Sequence, residues 1–234
     1  MDFAPEGPMA IPLWINGHAY LTVTEQFFTV HDVTTGDALR QVPLCGEAEA
    51  AEALRAARDA LVGWRGLDSS ERQACLDALA DGLNRYAGHF AKLLRQEIAI
   101  DEVSAEAEVL AAVELLRARG QVEMAPSVCG IVLDPLTPLS SFVAVAAPLW
   151  RAGATLVVKP SPKAPAAVFA LCELTARTAW PAGVCNLLQG DLAAVQGLCV
   201  VGLDRLIYRG QPELGRQIQT LAASQGVVCQ LQPV

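Results

Sequence analysis

Lys159, Pro160 and Ser161 end a run of apolar and β-branched residues that begins at Gly153. The run has the composition and length of a buried parallel strand, Ala154 to Val158. Lys159 then stands at the strand's carboxyl end, the edge at which open α/β sheets bind their ligands. A lysine there offers several donors to hydroxyls or phosphate, so the position suggests nucleotide binding. Other reactive chemistry is sparse. Cys45, Cys75, Cys129, Cys172, Cys185, Cys199 and Cys229 are scattered and never form a Cys-x-x-Cys pair. That pattern argues against a disulfide framework and against a zinc site, and predicts buried, inert thiols. Cys229 lies in an apolar run with no base nearby in sequence, so it is not expected to be an activated nucleophile. His18, His31 and His89 have no ligand-like spacing and read as surface or turn residues.

The elements that must position Lys159 follow from periodicity. Residues 1–45 read as an extended arm, with Leu13–Ile15 running into an Asn16-Gly17 hairpin turn. Phe27–Val33 is a second strand, followed by a turn over Thr34–Asp37. Ala50, Ala53, Leu54, Ala57, Leu61 and Trp64 recur at helical spacing. Ser69 is read as the cap of a helix whose apolar face runs from Cys75 through Leu79, Leu83 and Tyr86 to Leu94. A third helix spans about Val103 to Arg119. After Gly120, strands near 128–133, 154–158, 184–188, 205–208 and 227–231 alternate with helices starting near Pro138, Ala164, Leu192 and Pro212. Strand–helix alternation predicts an α/β fold: a doubly wound, Rossmann-like, mainly parallel sheet with right-handed crossovers, preceded by the strand arm and a helical layer. The expected division is an arm over 1–45 and one α/β domain over 46–234.

The chain has 234 residues and a formal net charge of -8, which repels nucleic-acid phosphates. No apolar run reaches the ~18 residues of a membrane span. Met1–Glu6 has neither a basic region nor an apolar core, so no signal peptide is expected, and the reading is a cytoplasmic protein.

The motifs, in order, resemble the aldehyde dehydrogenase superfamily. Trp14-Ile15-Asn16-Gly17 is similar to its opening strand, and Gly153–Ser161 to its Gly-Asn-Thr-Val-Val-x-Lys-Pro-Ser strand. Trp180–Leu188 looks like its Leu-Pro-x-Gly-Val-x-Asn-Val-Val stretch. Asp204–Gly210, continuing to Gly215-Arg216-Gln217-Ile218, resembles its Gly-Ser-Thr-x-x-Gly turn and helix. The resemblance covers the cofactor-binding half. It implies NAD or NADP as cofactor, with Lys159 on the adenosine ribose and Ser161, Gly190, Gly210 and Gly215 as further cofactor-binding positions.

Departures from the family pattern are as informative. Leu136 falls where the resemblance puts the oxyanion-holding asparagine, and a leucine side chain donates no hydrogen bond. Val145 replaces a helical lysine. Gln232 falls at the general base, and an amide has no useful basicity near neutral pH. Pro162 replaces the usual glutamate. Gly210-Gln211-Pro212 replaces Gly-Ser-Thr, removing hydroxyls and one N–H that would meet a pyrophosphate. Arg209 either attracts phosphate or pairs with an acidic surface. The Arg117–Gly130 stretch is shorter than the family's oligomerisation hairpin. The resemblance therefore implies no catalytic residues in this chain. The preferred expectation is a catalytically degenerate interaction or regulatory subunit. It would bind a protein partner or a second copy through 213–223, using Leu214, Ile218 and Leu221. The alternatives are an NAD(P)-binding module, or the cofactor half of an enzyme completed by another chain.

Overall fold

The computed structural model describes residues 9–120, 125 and 127–234. The reading of Met1–Glu6 and part of the Arg117–Gly130 stretch lie outside them. The chain opens with β1 (Leu13–Ile15) and β2 (His18–Tyr20), then β3 (Phe27–His31) and β4 (Ala38–Pro43). A helical layer follows: α1 (Glu47–Gly66), α2 (Ser69–Arg85), α3 (Ala87–Glu97) and α4 (Glu102–Arg117). Alternation then sets in with β5 (Val128–Leu133), α5 (Pro138–Arg151), β6 (Thr155–Lys159), α6 (Ala166–Thr175) and β7 (Cys185–Leu187). The last elements are α7 (Leu192–Val200), β8 (Arg205–Arg209), α8 (Pro212–Ser224) and β9 (Cys229–Gln232).

The 7-stranded sheet has the order β2-β1-β7-β6-β5-β8-β9. The segment from β7 to β9 is parallel, while β1 pairs antiparallel with both β2 and β7. The fold is thus the doubly wound α/β sheet that strand–helix alternation predicts. The Asn16-Gly17 turn has φ of 54 and 79, the left-handed pair that a tight hairpin requires. It sews the arm onto the sheet edge, whereas β3 and β4 form a separate two-stranded ribbon.

Alternation along β5 divides the core. Cys129, Ile131 and Leu133 face α2 to α6, whereas Val128 and Val132 face α1, α7 and α8. On the first face Trp180 stacks on Trp64 at 5.3 Å and meets Trp150 edge-on at 4.7 Å. Two of these indoles have buried backbone acceptors: Trp64 Nε1 donates to Trp150 O at 3.1 Å, and Trp180 Nε1 to Cys75 O at 2.8 Å. Trp150→Ala should cost about 3–5 kcal/mol, because a fully buried ring leaves a cavity. Urea denaturation should show a lower midpoint at unchanged slope.

Two boundaries differ from expectation. The helix from Ser69 is capped by Asp68, not Ser69. Asp68 accepts from Ser70 N and Glu71 N at 2.8 Å each, and Asp68 N in turn donates to Glu71 Oε2 at 2.8 Å. The carboxylate one position earlier leaves Ser69 inside the first turn. The continuous apolar face to Leu94 is broken at Tyr86, where the weak helix formers Asn84, Tyr86 and Gly88 cluster.

Glu97 is buried at the end of α3. It accepts from Ala166 N at 2.9 Å, and its Oε1 lies 3.0 Å from Arg40 Nε, an ion pair that lacks hydrogen-bond alignment. Burial pushes its carboxyl up to about 7, against the pull of Arg40 and the Ala166 N–H. Between 4.5 and about 7 the folded chain therefore holds a proton that the unfolded chain has released. Stability should fall as pH rises through that window. Glu97→Gln should flatten the slope in denaturation titrations; an unchanged slope would contradict the assignment.

Candidate functional site

From β5 the chain winds through β6 and β7 in one direction and, after returning, through β8 and β9 in the other. The strand order therefore reverses between β5 and β8. In doubly wound sheets the ligand crevice lies at that switch point, outside the carboxyl ends of the strands. Here those ends are Leu133-Asp134 and Arg209-Gly210, paired as Leu133↔Arg209.

Asp134 bridges them. Its N–H donates to Arg209 O at 3.2 Å, continuing the ladder. Its carboxylate accepts from Gln211 N at 2.8 Å and from Leu136 N at 3.0 Å, and the residue is 3 % exposed. Each such charge-assisted bond contributes about 1.5–3 kcal/mol. Gly210 is needed for this approach: a Cβ there would lie 2.5 Å from both Asp134 Oδ2 and Tyr208 Oη. The Tyr208 hydroxyl donates to Gln211 O at 3.1 Å, and burial, with the Asp134 charge adding to it, pushes its phenol up to about 12.

Lys159 ends β6 but is not a solvated cap of the sheet. It is 5 % exposed, and its Nζ donates to Gly190 O at 2.9 Å. Burial pulls its ammonium down to about 8, while Asp191 pulls the other way. Ser161 is buried, and its Oγ accepts from Lys163 N at 3.3 Å in the following turn. Gly190 presses on the Cys45 backbone and on Ala194. Gly215 lets α8 lie on the Tyr208 ring, where a Cβ would come within 3.0 Å. These side chains share the carboxyl edge, and each contact described is internal to the chain.

Arg209 Nε donates to Ser141 Oγ at 3.3 Å, and Ser141 in turn meets Thr137 Oγ1 at 2.7 Å. Val145 is buried in α5. Leu136 is 47 % exposed. Gln232 ends β9, and its carbonyl accepts from Gly210 N at 3.2 Å. On α8, Ile218 is buried against the sheet with Leu214 and Leu221 partly buried beside it, so the helix turns Glu213, Arg216, Gln217 and Thr220 to the surface.

Sequence reasoning missed the carboxylates along this edge. The N-termini of the crossover helices all point here, and each receives an acid. Glu108 Oε1 accepts from Leu139 N at 3.1 Å at α5, and Glu97 serves α6. Asp191 accepts from Ala193 N at 2.9 Å at α7, and Asp134 serves α8. Helices α5 and α8 begin with Pro138 and Pro212, and α6 follows Pro165; none of the three has a capping side chain at its own N-cap. Asp134 carried one local signal, an Asx turn onto Leu136 ahead of a proline-rich loop. Its bond to Gln211, 77 positions away, carried none.

The aldehyde dehydrogenase family model matches residues 20–127 and 127–232. The chain belongs to the aldehyde dehydrogenase family. A glutarate-semialdehyde dehydrogenase from Pseudomonas putida is 27% identical over 230 residues, covering 88% of this chain and 48% of the relative. An NADP(+) succinate-semialdehyde dehydrogenase from Escherichia coli is 27% identical, covering 89% and 48%. Among solved structures, an E. coli NADP-dependent enzyme superimposes with a TM-score of 0.86 at 25% identity, covering 96% of this chain and 51% of that one. Lactaldehyde dehydrogenase from E. coli gives a TM-score of 0.88 at 22% identity, covering 97% and 52%. The chain thus spans about half the length of the relatives it matches.

An aldehyde dehydrogenase fold implies a dinucleotide. At the start of α8 two of the donors that would meet one are withdrawn: Gln211 N is committed to Asp134, and Pro212 has no N–H. The family's ribose lysine, Lys159 by resemblance, is turned onto Gly190 O. Among the described residues no cluster of His, Cys, Asp and Glu is placed to hold a metal ion, and no helix is long and apolar enough to cross a membrane.

The depressed Lys159 has a measurable consequence. Between about 8 and 10.5 the unfolded chain keeps a proton that the folded chain has released. This group's contribution to stability should therefore rise with pH across that window. Lys159→Met should lose the trend, so the wild-type-minus-variant stability difference should increase from the lower to the upper limit in urea titrations. A flat difference would show that the lysine is not buried as described.

Proposed function

We propose that this chain is a non-catalytic member of the aldehyde dehydrogenase family that works as an interaction or regulatory subunit. Leu136 carries the reading. At the position aligned with the family's oxyanion donor, the side chain is hydrocarbon and the N–H is already bonded to Asp134 at 3.0 Å. Neither group is available to stabilise a developing oxyanion, and acyl chemistry ordinarily draws much of its rate acceleration from that stabilisation. The thiols support the same reading. All seven cysteines are buried, and burial pushes Cys45 up to about 12 and Cys229 up to about 11, away from thiolate character near neutral pH. Gln232, at the aligned base position, is an amide.

A binding role draws support from what the fold leaves uncovered. Strand β9 is an edge of the sheet, and its Cys-Gln-Leu-Gln run has no charge to discourage pairing. Leu136, Leu192 and Val228 are exposed apolar side chains. The outer face of α8, within 213–223, is polar and mixed in charge. A protein partner or a second copy would meet that polar face, with Leu214, Ile218 and Leu221 holding the helix from beneath.

The purified chain, given NAD or NADP and a series of aliphatic and semialdehyde substrates, should form no reduced cofactor. Light scattering after size exclusion should give a mass above 24.8 kDa, and Gln217→Arg on the outer face of α8 should lower it without changing the melting temperature. Turnover would overturn the non-catalytic reading. A monomer at every concentration, with no change in Gln217→Arg, would overturn self-association through α8.

A further inference from the structure

We propose that Asp134 is a built-in anion that takes the place of a dinucleotide's pyrophosphate, making this chain a dinucleotide fold that excludes the dinucleotide. The inference goes beyond the function proposed above, which concerns catalysis and partners. It rests on the position of the carboxylate in the topology. The β5/β8 switch point is where a doubly wound sheet receives a ligand, and the N-terminus of the following helix is where a phosphate group meets backbone N–H donors. Asp134 lies at that point, buried, with one carboxylate oxygen on Gln211 N at 2.8 Å and the other on Leu136 N at 3.0 Å.

Two further features of the turn favour the carboxylate over an incoming anion. Gly210 removes the Cβ that would hold the carboxylate off the turn, since that atom would stand 2.5 Å from Asp134 Oδ2. Pro212 withdraws one N–H from the first turn of α8, so the anion already present uses the amide that introduces the helix. Tyr208 lies against the carboxylate, Arg209 stands at the end of β8, and Glu213 at the surface is paired with Arg216 at 2.6 Å. The tyrosine hydroxyl is engaged by Gln211 O, and the Arg209 Nε by Ser141. An incoming pyrophosphate would meet a buried carboxylate of its own sign on the donor it needs. Juxtaposed like charges in a buried contact weaken binding by about 100-fold or more.

The test is calorimetry and thermal shift on the full chain with inorganic pyrophosphate, NAD and NADP. Wild type should give no saturable heat with any of them at millimolar concentration. Asp134→Ala frees both N–H groups, and Asp134→Asn removes the charge while keeping the side chain's shape. Each variant that shows native circular dichroism should gain pyrophosphate affinity by about 100-fold or more, with a matching rise in melting temperature on adding the anion. Saturable binding of NAD, NADP or pyrophosphate by wild type would overturn the inference, as would folded variants that gain nothing. Should neither variant fold, the wild-type titration decides alone. Binding without turnover would sink this inference and leave the non-catalytic reading standing, whereas loss of self-association would touch only the partner proposal.

Discussion

Every buried helix end must find a partner for its free backbone groups, and this fold depends on how that need is met. Parallel β-strands joined by right-handed crossovers aim all the helix N-termini at one edge of the sheet and all the C-termini at the other. At the first edge the partners are acids: Glu97, Glu108, Asp134 and Asp191. At helix C-termini they are arginines. Arg151 donates to Leu115 O and Leu116 O in the last turn of α4, Arg72 to Arg151 O at the end of α5, and Arg58 to Val201 O just past α7. The signs match the helix macrodipole at each edge. The arginine bonds tie α1, α2 and α4 to the crossover helices α5 and α7.

The same requirement shapes the crevice. A helix N-terminus that serves a ligand must leave its amides free until the ligand arrives. Here the amide at the switch point has been given a permanent partner, and Lys159 has been turned onto a carbonyl. The packing contacts of this frame are internal to the chain. The Val-rich strands, the glycine contacts at Gly190 and Gly215, and the Tyr208 ring fill space whether or not a cofactor is present. The amides of Leu136 and Gln211 meet in one side chain, because Asp134 accepts from both.

Much of the fold was legible in the chain. The apolar run to Lys159, the Asn16-Gly17 hairpin and the prolines at 138 and 212 mark elements by local rules, and the structure follows them within a few residues. The misplaced cap at Asp68 and the break at Tyr86 are also local in cause, a stronger acceptor one position earlier and a cluster of weak helix formers. The site was legible only as a set of positions. Lys159, Ser161, Gly190, Gly210 and Gly215 fall along one edge of the sheet, and none of their partners could be read from sequence.

The sequence by itself determined the family, the parallel doubly wound sheet and the absence of a carboxylate at Gln232 or an amide side chain at Leu136. The sheet follows from periodicity, a property of short windows; the family and the meaning of positions 136 and 232 follow from the resemblance of motifs taken in order. Only the tertiary structure decided that Lys159 is buried, that Arg209 meets a serine, and that Asp134 closes the switch point. Those depend on contacts between residues 31 to 77 positions apart, brought together by sheet topology. No local pattern encodes such a pairing, because the energy of a buried carboxylate is set by the donors the fold delivers to it.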